Sequence, residues 1–356
     1  MKKILIVDDS ALMRRVLCDI INSDIRFRVV DMASNGVEAF DLLKRKSYDA
    51  VVLDVNMPKM DGLELLRELQ KHKISVRVMM SSTDTTEGAK TALDALELGA
   101  IDFVHKPDSA LDCRGTKFRD DFLQTLATVA GSEMTLLGKS NKVENSATVK
   151  QMVENIQKQS KLTGSKIVAI ASSTGGPKAL QAVIPKLPKN LKAPVLIVQH
   201  MPIGFTASLA ERLNSLSDVE VKEAAEGDVL EPGHVYLSCG GKHMNVSKRG
   251  IKYTIHYSDE PSREGVKPCA NYMYESLIKS DFDEIICVVM TGMGADGTKG
   301  IGNLKAAGKK IHVIAQEEST CAVYGMPKSV VNANLSNQII PLEQIAQEII
   351  LNVGVM

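Results

Sequence analysis

Residues 4–17 read Ile4-Leu5-Ile6-Val7-Asp8-Asp9-Ser10-Ala11-Leu12-Met13-Arg14-Arg15-Val16-Leu17. Four apolar residues in a row, stopped by two acids, read as a strand buried on both faces. Ser10 stands where an N-cap belongs, and Leu12, Val16, Leu17, Ile20 and Ile21 recur at helical spacing, so a helix follows. The same unit recurs downstream. Ala50–Leu53 reads as the third strand and Gly62–Gln70 as a helix. Val76–Met80 reads as the fourth strand, with a helix from about Glu87 to Leu98. Ile101–Val104 reads as the fifth, with a helix from about Lys117 to Val129. Strands alternating with helices predict a parallel sheet wound on both faces.

Residues 131–163 change character. They are rich in Ser, Asn, Gln and Lys, contain no aromatic residue, and read as an interdomain linker with a short helix around Val149–Gln159. From Lys166 a second α/β pattern begins. Ile167–Ala171, Val195–Val198, Ile285–Met290 and Ile311–Ala315 are its candidate core strands. A β-rich insert from about Val219 to Tyr257 lies between them, with a hairpin turned at Arg249-Gly250. The predicted class is α/β, with two doubly wound parallel-sheet domains, the second carrying a β-hairpin insert. Its boundaries are 1–130, 131–163 and 164–356.

Composition narrows the function. The chain has 356 residues, 44% apolar and 24% charged, with a formal net charge of +0. A neutral surface argues against nucleic acid as the main partner, because phosphate binding needs a cationic field. The six cysteines form no C-x-x-C pair, so neither structural zinc nor a redox dithiol is suggested. The start, MKKILIVDDS, has too short an apolar run for a signal peptide, and no stretch approaches the ~18 apolar residues of a membrane span. A soluble, cytoplasmic monomer without membrane insertion is expected.

In a doubly wound sheet, ligands bind at the carboxyl ends of the strands. There the first pattern places Asp8 and Asp9 after strand one, Asp54 after strand three, Ser81 after strand four and Lys106-Pro107 after strand five. Three carboxylates, a hydroxyl and an ammonium on one rim suit Mg²⁺ and a carboxylate that carries a phosphoryl group. With Leu53-Asp54-Val55-Asn56-Met57-Pro58-Lys59-Met60-Asp61-Gly62, the set resembles the receiver domain of two-component signalling over nearly all of residues 2–125. The resemblance implies a flavodoxin-like fold. It implies Asp54 as phosphoryl acceptor; Asp8, Asp9, Asp54 and the Asn56 carbonyl around Mg²⁺; Ser81 and Lys106 as the phosphate-sensing pair; and a histidine kinase as phosphodonor.

The second pattern carries Ser172-Ser173-Thr174-Gly175-Gly176-Pro177 after its first strand. The loop puts hydroxyls and free amides at a helix start. It suits a bound phosphate, a serine nucleophile beside an oxyanion site, or a plain tight turn, and it matches neither a P-loop nor G-x-S-x-G. His200 ends the next strand, and Thr291-Gly292-Met293-Gly294-Ala295-Asp296-Gly297 ends a later one. Strand ends meet on one rim, so Ser173, His200 and Asp296 are candidates for a triad. The other histidines (His72, His105, His234, His243, His256 and His312) read as structural or surface residues.

Three segments, Ala169–Gly176, Gln199–Phe205 and Thr291–Gly297, are similar to the signature segments of the chemotaxis protein-glutamate methylesterases. Gly233–Tyr236, Gly241–Met244 and Tyr324–Pro327 support the match. The resemblance implies Ser173 as nucleophile, His200 as base and acid, and Asp296 as the orienting carboxylate. It places the oxyanion site at the Met293 and Gly294 amides and requires no cofactor for the ester step. Ser172 departs from that family, which usually has alanine there. The implied substrate is a glutamate γ-methyl ester on methyl-accepting chemotaxis receptors, with glutamine deamidation at the same site and relief of receiver inhibition by phosphorylation. The alternatives are a receiver-controlled DNA-binding regulator, a nucleotide-binding module using the Ser-Thr-Gly-Gly loop, and a relative retargeted to a non-flagellar pathway.

Overall fold

The apolar run that opens the chain is strand β1, Lys2–Val7, and Ile4 to Val7 are fully buried. The computed structural model describes residues 1–83, 86–107, 113, 115–132 and 164–356. The chain divides into two compact units, Met1–Ser140 and Asn141–Met356.

In the first unit, helix α1 (Ala11–Asn22) follows β1, and the Ser10 hydroxyl accepts from the Met13 amide at its start. Strand β2 (Phe27–Ala33) and helix α2 (Gly36–Arg45) come next. They are followed by β3 (Ala50–Asp54), α3 (Gly62–Lys71), β4 (Val78–Thr83), α4 (Thr86–Glu97), β5 (Asp102–Lys106) and α5 (Thr116–Gly131). The strands are all parallel, in the order β2-β1-β3-β4-β5. One face is covered by α1 and α5, whose Leu17, Ile21, Phe122 and Leu126 pack on Ile4, Ile6 and Val52. Each such side chain contributes about 1.5–3 kcal/mol by leaving water. The strands run further at their carboxyl ends than their apolar runs suggest. Asp54 and Lys106 are therefore the last residues of β3 and β5, and Ser81 lies inside β4 rather than after it. Helix α5 includes Gly131, which the sequence places in the linker; residues 133–163, with the short helix expected there, lie outside the described residues.

The second unit has seven parallel strands in one sheet: β6 (Lys166–Ser172), β7 (Val195–Gln199), β8 (Glu220–Glu223), β9 (His234–Leu237), β12 (Glu284–Val289), β13 (Ile311–Gln316) and β14 (Gln338–Ile340), in the order β14-β13-β12-β6-β7-β9-β8. This corrects the expected insert. The short strand β9 pairs in parallel with β7, and β8 pairs in parallel with β9, so both belong to the main sheet. Only β10 (His243–Arg249) and β11 (Lys252–Ser258) form a separate antiparallel hairpin, and its turn is Gly250-Ile251, one residue later than expected. Gly250 has φ +64°, which glycine adopts without strain. Met244, Val246 and Ile255 of the hairpin pack into the same core as Leu196 and Tyr236 of the sheet.

The helices that matter below are α6 (Gly176–Val183), α7 (Phe205–Leu216), α8 (Ala270–Ser276), α9 (Thr298–Ala306) and α10 (Met326–Asn332). Strand order reverses at β6, which lies between β7 and β12, so the carboxyl ends of β6 and β12 flank a topological switch point. In the first unit the same point lies between β1 and β3. No helix among the described residues is long and apolar enough to cross a membrane.

Candidate functional sites

At the first switch point, Val7 pairs with Leu53, so Asp8 and Asp54 leave β1 and β3 side by side. Asp54 in turn pairs with Ser81. The carboxylates of Asp8, Asp9 and Asp54 present oxygens within 4.8 Å of one another; Asp8 and Asp54 are buried and Asp9 is exposed. Lys106 Nζ donates to Asp54 Oδ2 at 2.6 Å and to Asp8 Oδ2 at 3.0 Å. Burial pushes the Asp54 carboxyl up to about 6, against the pull of the Lys106 charge. Burial pulls Lys106 down, but Asp54 and Asp8 together outweigh it and hold the ammonium above its ordinary value. The buried Ser81 hydroxyl has no partner among the described residues.

An oxygen-only donor set with one orphaned hydroxyl and one ammonium fits a divalent cation with a phosphoryl group beside it. Asn56 lies two residues past Asp54 and is exposed. Gly62 is required here, since a Cβ would stand 2.4 Å from the Asp54 carbonyl oxygen. Sequence reasoning passed over Arg14, which donates to the carbonyls of Asp8 and Asp9 at 2.6 and 3.0 Å and so holds the acidic turn.

At the second switch point, β6 and β7 pair up to Ser172 and Gln199, and the His200 amide donates to the Ser172 carbonyl at 3.1 Å. Ser173 and His200 are therefore the first residues past the ladder on adjacent strands. The two adjacent serines have different environments. Ser172 is fully buried, and its hydroxyl donates to Gln199 Oε1 at 2.7 Å. Ser173 is half-buried, and its hydroxyl makes no hydrogen bond among the described residues, which leaves the oxygen open to an incoming group. Its amide donates to the Thr291 carbonyl at 3.0 Å. Thr291 Oγ1 in turn donates to the Thr174 carbonyl and accepts from the Val323 amide, each at 3.0 Å. Gly175 is the N-cap of α6, at φ +76°.

His200 Nε2 lies 2.8 Å from Asp296 Oδ2. Asp296 is 2% exposed and accepts from the amides of Ala270, Asn271 and Gly297 and from the Cys269 thiol, at 2.6, 2.9, 2.8 and 3.0 Å. Burial alone would raise this carboxyl, but the His200 ring and those donors hold it below the usual range. Burial first, then the Asp296 charge, pushes the Cys269 thiol up to about 12, so it remains a donor. Asn271 closes the arrangement: its Oδ1 accepts from the Gly297 and Gly300 amides at 3.1 and 2.7 Å. Met293 is half-buried and Gly294 exposed on the same rim, and the Gly294 amide has no partner among the described residues. Segment 323–329 straps this loop. The Gly325 and Met326 amides donate to the Gly292 carbonyl at 3.0 and 2.8 Å, and Ser329 Oγ donates to the Gly294 carbonyl at 3.3 Å.

The residues sequence reasoning missed are Gln199, Cys269, Asn271 and Thr291. Gln199 sits inside a quoted segment, and a polar side chain closing a buried strand was its available signal. Cys269 and Asn271 lie more than twenty residues from Asp296 in the chain and gave none. Among the described residues the acidic cluster is the one group of three or more side chains placed to hold a metal ion.

These two rims define a class, a response regulator whose output domain is an enzyme. Residues 4–112 match the response regulator receiver domain model and residues 168–349 match that of the CheB methylesterase. The protein-glutamate methylesterase/protein-glutamine glutaminase of Bacillus subtilis is 41% identical over 352 residues, covering 98% of both chains. That of Halalkalibacterium halodurans is 40% identical over 348 residues, covering 98% of this chain and 97% of its own. The crystal structure of the Thermotoga maritima CheB methylesterase catalytic domain aligns at 40% identity and TM-score 0.51, over 53% of this chain and 98% of that one. The chain belongs to the protein-glutamate methylesterase/protein-glutamine glutaminase family of chemotaxis enzymes.

Proposed function

We propose that the enzyme hydrolyses glutamate γ-methyl esters on methyl-accepting chemotaxis receptors through Ser173, His200 and Asp296, and deamidates glutamines at the same site. The observation that carries this is the part-buried His200–Asp296 pair at 2.8 Å, one strand from an unpartnered serine. With Nε2 taken by Asp296, Nδ1 is the ring atom left for the Ser173 proton, the reverse of the usual serine-protease arrangement. Ser173 Oγ attacks the ester carbonyl carbon and His200 takes its proton. The oxyanion forms against the Met293 and Gly294 amides. His200 then protonates the methoxy group, methanol leaves, and water cleaves the acyl-enzyme to glutamate by the same steps. With a glutamine substrate, ammonia leaves instead. Ser173, not Ser172, is the nucleophile, because the Ser172 hydroxyl is buried and committed to Gln199.

Asp54 takes the phosphoryl group from a histidine kinase: its carboxylate oxygen bonds to phosphorus as the phosphorus–nitrogen bond of the donor breaks. Lys106 pairs with the phosphoryl oxygens and Ser81 donates to one of them. Asp8, Asp9, Asp54 and the Asn56 carbonyl would hold Mg²⁺, which when bound neutralises phosphoryl charge. Phosphorylation then relieves inhibition of the esterase by the receiver, shifting a population between two arrangements. The joining of a receiver to a hydrolase in one chain supports this regulation. The enzyme acts as a cytoplasmic monomer, and its ester step uses no cofactor.

The test is methanol release from methylated receptor membranes, with and without a phosphodonor. Ser173→Ala should abolish release, and phosphodonor should stimulate the wild type. Release at the wild-type rate from Ser173→Ala would remove Ser173 from the mechanism, and no response to phosphodonor would remove the regulation.

A further inference from the structure

We propose that Gln199 is a positioning residue, whose buried carboxamide fixes the nucleophile and the base relative to each other. This rests on the reading that Ser173 and His200 perform the chemistry. The β6–β7 ladder ends at Ser172 and Gln199, and the next two residues are Ser173 and His200. Past a ladder's end the backbone carbonyls need other partners, and their directions are otherwise unspecified. Here one group supplies both. Gln199 Nε2 donates to the Ser173 carbonyl at 3.0 Å and to the His200 carbonyl at 3.0 Å. The Ser173 carbonyl is fixed a second time by the Gly176 amide at 2.7 Å.

The orientation of the carboxamide is also determined. Its Oε1 accepts from the Ser172 hydroxyl at 2.7 Å. A flipped amide would turn its oxygen toward two carbonyl oxygens, neither of which can donate. Three contacts to one planar group, itself 2% exposed, leave it no rotational freedom. The space it occupies is made by a glycine, since a Cβ on Gly176 would stand 2.0 Å from Gln199 Oε1. Ser172 thus has a purpose that does not require it to react: its hydroxyl holds the amide that holds the other two residues.

The experiment compares Gln199→Met, Gln199→Glu and Ser172→Ala in the full chain, activated by phosphodonor. Gln199→Met keeps the length and removes both donors. Gln199→Glu keeps the shape and sets a carboxylate oxygen against two carbonyls. Methanol release from methylated receptor membranes gives kcat and KM, per site titrated with a fluorophosphonate probe, and thermal melting reports folding. A misplacement on the order of 1 Å costs about 100-fold in rate. Both Gln199 variants should therefore lose ~10- to 100-fold in kcat, with KM within about twofold and slower fluorophosphonate labelling of Ser173. Ser172→Ala should lose a few-fold in kcat, also without a KM change.

If folded Gln199→Met and Gln199→Glu keep kcat per titrated site within twofold, the positioning role is overturned. A loss that tracks only the folded fraction overturns it too. Should Gln199→Met not fold, the same criteria apply to Gln199→Glu and Ser172→Ala. Ser173→Ala and His200→Ala run beside them: release retained there overturns the assignment of the reacting pair, whereas a loss there with active Gln199 variants overturns only the role of Gln199.

Discussion

Gly292 shows how little room single residues have at this site. A Cβ on it would stand 2.7 Å from Ser173 Cβ and 2.5 Å from Met326 Sδ. The Met326 sulfur can swing away, but Ser173 is held by the hydrogen bond its amide donates to the Thr291 carbonyl. Gly292→Ala should therefore displace the serine, lowering kcat by up to about 100-fold with a smaller change in KM, as measured by methanol release. Asp296 makes a prediction about acid stability. Its folded carboxyl is held below the ordinary value of 3.8, so its stabilising contribution is present above that pH and lost as pH falls below it. In Asp296→Asn, denaturant midpoints should fall less steeply below about pH 4 than in the wild type, and methanol release should drop by orders of magnitude. Equal slopes in the two proteins would remove Asp296 as a source of acid sensitivity.

At the scale of elements, two helix starts exchange acceptors. Asp296, just before α9, accepts from the first amides of α8, while Asn271, at the start of α8, accepts from Gly297 and Gly300 at the start of α9. Each helix thereby caps the other, and the Asp296 carboxylate is part of the clasp. Asn271→Ala leaves two buried amides without their acceptor and should cost about 1–2 kcal/mol in unfolding free energy. Activity should fall as well, because the loop carrying Asp296 loosens. A variant with wild-type stability in denaturant titrations would contradict the clasp. Elements also show where sequence patterning misleads. The run Glu220–Glu223 holds one apolar residue, Val221, among three charged ones, as a solvated hairpin strand would, yet it pairs in parallel at the sheet edge. Edge position, not composition, explains its polarity, and edge position is a property of the folded sheet.

For the whole molecule, the prediction concerns the independence of its two chemistries. Removing divalent metal with a chelator should abolish stimulation of methanol release by phosphodonor. Fluorophosphonate should still label Ser173 under the same conditions, because no metal donor cluster is found at the esterase rim among the described residues. Asp54→Asn should likewise remove the response to phosphodonor. Loss of Ser173 labelling on chelation would mean that the ester step depends on metal after all.

The core strands β1, β3 to β7, β12 and β13, the parallel winding of both sheets, and the placing of Asp8, Asp54, Lys106, Ser173, His200 and Asp296 at or near strand ends were legible in sequence, whereas β2, β8, β9 and β14 were not read as strands of those sheets. The reason is physical. Buried strands need unbroken apolar runs, and in parallel sheets the residues that end those runs meet on one rim. What tertiary structure alone decided is how that rim is held. Whether Ser172 or Ser173 is open to substrate depends on which hydroxyl turns toward Gln199. The donors that join His200 at Asp296 come from Cys269, Ala270 and Asn271, brought close by packing of α8 rather than by any local spacing. Local sequence specifies period and termination, whereas contacts between distant segments depend on side-chain directions that exist only once the sheet and its helices have packed.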